Sequence, residues 1–153
     1  MGERYDLGWL VGRTLTEVKG PECGSWRFEF GPDIEVRADC LWRVVRNGAV
    51  TLSSEDNGRQ YGLPQPIDAE AECRALLGEA VVAAAAVHDE TRDIVIRFDS
   101  GARLEVLPLS SGYESWQMGG PGRLLVIAQG GGNLAMWGPD AAPGTSPSTS
   151  FAQ

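Results

Sequence analysis

Only one histidine, His88, occurs in the 153 residues, and the three cysteines, Cys23, Cys40 and Cys73, lie far apart in no CxxC pair. A Ser-His-Asp or Cys-His arrangement would have to run through His88. That residue stands in the polar stretch VHDETRD after an apolar run, the context of a solvated turn. One histidine without clustered cysteines supplies no transition-metal set. Three widely spaced cysteines also argue against a disulfide framework and for reduced thiols in a cytoplasm. No apolar run approaches the roughly 18 residues that cross a bilayer. The start, MGERYDLGW, has no basic segment leading into an apolar one, so neither a membrane span nor a signal peptide is expected. Basic residues are few: 13 Lys and Arg against 21 Asp and Glu, a formal net charge of −8. They are scattered, which predicts no nucleic-acid partner. The acidity either keeps the chain soluble or steers a basic partner protein toward it.

Phosphate-binding signatures are missing as well. GGPG (119–122) and GGG (130–132) lack the GxxxxGK[ST] pattern and read as hairpin turns. EDNG (55–58) lacks the spaced acids and closing Glu of a calcium loop. A glycosidase-type carboxylate pair would have to join Glu114 with Glu105 or Asp99, and no motif supports it. The chain is therefore expected to carry no catalytic set and no cofactor.

What is present is a pattern written twice. WRVVRNGAVTLSSEDNGRQYGLP (42–64) lies without a gap over WQMGGPGRLLVIAQGGGNLAMWG (116–138). Trp42 meets Trp116, Gly48 meets Gly122, and Asn57-Gly58 meets Gly131-Gly132. Upstream, LVGRTLTEV (10–18) resembles LLGEAVVAA (76–84), WRFEF (26–30) resembles IVIRF (94–98), and IEV (34–36) matches LEV (104–106). This predicts a duplicated β unit, with copies at about 9–64 and 76–138. Period-two alternation marks the strands: Trp26, Phe28 and Phe30 against Arg27 and Glu29, then Ile34 and Val36 against Glu35 and Arg37. In the second copy a three-residue loop at SGA (100–102) would set Phe98 against Leu104 and Arg97 against Glu105.

Between the copies, PIDAEAECRALLGE predicts one helix over about 68–77, capped by Asp68 and ended by Gly78. VVAAAAV (81–87) is ambiguous by propensity, and its repeat partner assigns it to a strand. The tail at 139–153 is rich in Pro, Ser, Thr, Gly and Ala and is expected to be flexible. The fold expectation is one mostly β domain over 1–138. In it two duplicated antiparallel units form a barrel-like or sandwich arrangement joined by one short helix. Trp26 is expected in the core, Trp42 and Trp116 in matching structural places, and Trp9 and Trp137 as seals near the two ends.

GYESWQM (112–118) is the candidate binding segment, through Tyr113, Glu114 and Trp116. Trp116 has a counterpart in Trp42, so it is expected to pack; Tyr113 and Glu114 fall opposite Asp39 and Cys40 and belong to one copy alone. Glu114 either accepts backbone N–H groups as a buried carboxylate at the turn or serves recognition. The segment continues an Fxx-Gxx-LxV strand pair (Phe98, Gly101, Leu104, Val106) and leads into Gly120-Pro121-Gly122. It closes on Gly131, Gly132, Leu134, Ala135 and Trp137. This pattern resembles the C-terminal hallmark of a bacterial, mostly actinobacterial, family of unknown function, with Gly130 standing where that family often has Pro. The resemblance implies a small cytoplasmic protein with no assigned activity. Three functions are carried forward: a non-enzymatic module that binds a protein partner, in the manner of an immunity or accessory protein; a small-molecule binder or unrecognised enzyme with a pocket between the copies; and a self-assembling structural protein, a homo-oligomer.

Overall fold

Residues 5–138 are described by the computed structural model, so the expectation of a flexible tail at 139–153 lies outside the described residues. The first half supplies β1 (Tyr5–Asp6), β2 (Glu17–Glu22), β3 (Ser25–Glu29), β4 (Glu35–Ala38), β5 (Leu41–Arg46) and β6 (Ala49–Ser53). Helix α1 (Ala69–Leu77) follows. The second half supplies β7 (Val82–Val87), β8 (Ile94–Phe98), β9 (Arg103–Leu107), β10 (Trp116–Gly120), β11 (Leu124–Ala128) and β12 (Leu134–Trp137). The alternation seen in the sequence is realised: β3 buries Trp26 and Phe28 and turns Arg27 and Glu29 outward, and β8 buries Ile94, Ile96 and Phe98.

Two six-stranded antiparallel sheets result, and neither belongs to one half of the chain. Sheet I runs β1-β7-β8-β9-β5-β6, and sheet II runs β12-β11-β10-β4-β3-β2. Three consecutive strands of each half, β2–β4 and β7–β9, form the body of one sheet; the strands that follow, β5–β6 and β10–β12, cross to extend the other, and β1 edges sheet I. The joins are the β5–β9 ladder, with Trp42 opposite Val106, and the β10–β4 ladder, with Met118 opposite Val36. In β7-β8-β9-β5-β6 and β2-β3-β4-β10-β11 the strands that the sequence alignment pairs stand in the same order. The sheets pack face to face without closing, so of the two expected architectures the sandwich is the one formed.

Their inner faces make the core. Trp42 and Trp116 are fully buried, and the Trp42 ring meets Trp26 at 5.0 Å and Phe28 at 5.3 Å, both edge to face. Trp9 is half-buried against the core, whereas Trp137 is 37% exposed and seals less of it than expected. Helix α1 begins as its sequence predicts, with the Asp68 carboxylate accepting the Ala71 N–H at 3.1 Å. Ala69, Cys73 and Leu77 recur every four residues and form its buried stripe. Glu70 accepts the Gly20 N–H at 3.0 Å and Arg74 donates to the Val18 carbonyl at 3.3 Å, which fastens the helix along β2.

One expected register is corrected. Phe98 closes the β8–β9 turn with Ala102, so Ile96 faces Leu104, Arg97 faces Arg103, and Glu105 faces Val95. The slip is two residues, which keeps every side chain on its predicted face. The pairing inferred from charge fails because Glu105 finds its partners elsewhere: Arg43 on β5 and Arg103 two residues back, each at 2.6 Å. Burial at 8% exposure opposes its ionisation, but the hydrogen bonds from Arg103 and Arg43 outweigh that cost and hold the carboxyl below its usual range. A depressed carboxyl pKa stabilises the fold above the unfolded value of about 4.3 and ceases to do so as pH falls through the folded value. Glu105→Gln should cost about 1–3 kcal/mol at neutral pH and little at the acid end of that window. Urea midpoints of both proteins across pH 3–7, converging toward low pH, are the check.

Candidate functional site

The two halves exchange strands where the chain leaves one sheet for the other, and there the sandwich is open. Residues 39 and 40 carry the first half from β4 to β5. Residues 108–115 carry the second from β9 to β10, and this longer crossover projects as a loop. The crossovers lie side by side: Asp39 N–H donates to the Ser115 carbonyl at 2.8 Å, and Ser115 N–H to Ala128 at 2.9 Å. Between them runs an open groove of about 690 Å³. Trp26 gives it an aromatic wall; Asp39, Cys40 and Leu41 come from the short crossover; Glu55 and Asn57 come from the turn after β6. Leu109, Tyr113 and Glu114 close it from the long one.

Local rules fix the loop. The Ser110 hydroxyl accepts N–H groups from Gly112 at 3.0 Å and Tyr113 at 2.9 Å, a side-chain turn of the type serine favours. Gly112 lies against Gly130 so closely that a Cβ on Gly130 would sit 2.6 Å from the Gly112 backbone. Glycine at 130 is therefore demanded by contact. Behind the loop, the Trp116 indole N–H donates to the Arg92 carbonyl at 2.8 Å, and Arg92 Nε donates to Gly132 at 2.7 Å. Trp116 thus ties the crossover to the turn between β7 and β8. His88 sits in that turn as a solvated residue, its Nδ1 accepting from Glu90 and Thr91.

The expected trio divides accordingly. Tyr113 is 80% exposed and lines the groove with Glu114, while Trp116 is buried and does not line it. The reading of Glu114 as a buried carboxylate bonded to backbone is overturned: it is exposed, and Ser110 satisfies the turn instead. Among the described residues neither Glu114 nor Glu55 has an ion pair or an accepted hydrogen bond on its carboxylate. Asp39 is partly engaged, by Arg37 at 3.5 Å and by the Ser25 hydroxyl. Glu105 and Asp99 do not line this groove, so the carboxylate pairs that no motif supported are not brought together there.

Sequence reasoning missed the groove's other bank, Asp39 through Leu41 with Glu55. A signal existed: the repeat alignment set Tyr113 and Glu114 opposite Asp39 and Cys40, and these equivalent segments do lie against each other. Chemically the groove offers carboxylates, a phenol and a thiol. Burial, then the charge of Asp39, push the Cys40 thiol up to about 12, against a backbone hydrogen bond at Leu107. That thiol stays protonated at neutral pH and is no nucleophile. All three cysteines are free, and no described helix is long and apolar enough to cross a membrane.

Residues 41–138 match a model described as a family of unknown function (DUF6188). No curated protein and no solved structure matches the chain.

Trp116→Phe keeps most of the packing but orphans the Arg92 carbonyl, so it should cost about 1–3 kcal/mol in urea denaturation. Release of the β7–β8 turn should then appear as faster amide exchange over residues 88–93.

Proposed function

This chain belongs to a family of unknown function, DUF6188, and we propose that it is a non-enzymatic module whose crossover groove binds a basic segment of a partner protein. The observation that carries the reading is the pair of unengaged carboxylates, Glu55 and Glu114, on opposite banks of a groove rimmed by exposed Leu109 and Tyr113. Carboxylates kept free of internal cations retain their field for an incoming cation. An aromatic and an aliphatic side chain left in water beside them supply the apolar contact that turns attraction into affinity. The net charge of −8 steers such a partner from a distance. Free thiols and the Tyr113–Trp116 sequence pattern support a bacterial cytoplasmic setting, in which an immunity or accessory role fits a small acidic module.

A second reading draws on the same groove, because it takes residues from both halves: a small cationic ligand would find the same carboxylates. Size separates the two. A protein segment leaves the groove at both ends and buries Leu109 and Tyr113 together, whereas a small ligand needs only part of it.

Capture from native lysate on immobilised chain tests the first reading. Wild type should retain a basic protein that salt of about 0.5 M releases. Tyr113→Ala with Glu114→Lys should weaken that capture by about tenfold or more, roughly 1.4 kcal/mol. Both side chains are exposed, so the melting temperature should hardly move. Equal capture by both proteins, or capture indifferent to salt, would sink the proposal.

A further inference from the structure

The outer face of sheet II is sorted by charge in a way the monomer does not need. Strand register places Lys19, Arg27 and Arg37 directly opposite one another across β2, β3 and β4. The neighbouring outward row, two residues along each strand, is Glu17, Glu29 and Glu35. Between these rows Val18, Phe28 and Val36 point inward and are fully buried. Like charges directly opposite on adjacent strands are destabilising, and mixing the rows would relieve them. The internal compensation is slight. Lys19–Glu17 is 3.8 Å, Arg27–Glu35 3.9 Å and Arg37–Asp39 3.5 Å, all between side chains at least a third exposed, and Glu29 has no ion pair among the described residues. Exposed pairs of this kind contribute about 0–1 kcal/mol each.

The same two rows continue across the sheet as apolar residues. The acidic row passes through Gly119 to Leu125 and the basic row through Gln117 to Ile127, both half-buried, whereas Ala135 on β12 is fully buried and the open face ends at β11. A two-fold axis lying in this face, parallel to the rows and midway between them, exchanges the rows and leaves position along them unchanged. It sets the basic row of one copy on the acidic row of the other, and Leu125 on Ile127. Gly119, at the centre, has room for a side chain within its own chain and carries none, which lets two sheets approach.

We propose that the outer face of sheet II is an isologous docking surface for a second copy of this chain, with the two-fold axis along its charged rows. Such an interface is self-complementary by construction. Its size sets its strength. Five strands about 4.8 Å apart and roughly 17 Å long present on the order of 400 Å² per copy, about half of the ~800 Å² of a standard interface. The dimer is therefore weak, concentration-dependent and sensitive to salt.

Sedimentation of the full chain in about 20 mM and about 0.5 M salt reads the association directly. Wild type should dimerise in low salt and dissociate in high. Arg27→Glu and Glu29→Arg each put like charges face to face and should weaken the dimer by about tenfold or more. The double variant R27E/E29R swaps the rows at β3, restores opposite charges across the axis and should recover wild-type association. Net charge alone predicts otherwise, since Glu29→Arg makes the chain less acidic and should then favour association. A monomer at every concentration in low salt overturns the proposal, as does a dimer that survives both single reversals. None of the substituted residues lines the crossover groove, so this outcome and that of the partner-capture experiment are independent.

Discussion

Everything in this fold rests on two ladders, β4 with β10 and β5 with β9, because through them each half completes the other's sheet. Without them each half would present unpaired edges on both its three-stranded body and its departing hairpin, with nothing to cover its apolar face. The core follows from the exchange: Trp26 and Phe28 from the body of sheet II meet Trp42 where it departs into sheet I. So does the groove, which is the gap left where two chains of strands cross in opposite senses. A cavity at such a crossing is lined from both halves by necessity.

The two halves share a strand order but differ at this crossing, and also at β12, which has no counterpart after β6. One crossover is two residues long, while the other is a loop whose glycine and serine contacts fix its course. The shared strand order accounts for the scaffold, and the longer crossover supplies Leu109, Tyr113 and Glu114. The family match begins at Leu41, after β4, so the matched segment holds the projecting loop but not the strand on which β10 is built. As a sequence unit it is coherent; as a folding unit it is short by the body of sheet II.

The strands, the helix and its cap were legible because each depends on local spacing: period two at Trp26–Phe30, four-residue spacing at Ala69, Cys73 and Leu77, Asp68 before the first turn. Trp42 and Trp116 were legible as packed residues because a residue kept in both copies serves what the copies share. The exchange of strands was not legible, since period two says which face a residue takes and nothing about which strand lies beside it. The Glu105 error has the same origin: Arg97 is near in sequence, but Arg43 is adjacent in the sheet. Glu114 was misread because a turn's N–H groups need an acceptor, and Ser110, an ordinary loop residue, supplied it first. Asp39 and Glu55 carry no motif, and only the crossing of the chain makes them neighbours of Tyr113.

Helix α1 and its flanking turns, 54–81, are the covalent link between the halves, and the composite sheets give that link a thermodynamic role. Two unlinked halves would form the β4–β10 and β5–β9 ladders as a second-order reaction, governed by how much of each was present. Joined by a tether, the same contacts close at an effective concentration on the order of millimolar, independent of dilution. The helix adds direction to that tether, since Glu70 and Arg74 anchor it along β2 and so fix the point from which β7 departs. A segment that looks like a spacer in the sequence is what makes the stability of this sandwich a property of one molecule.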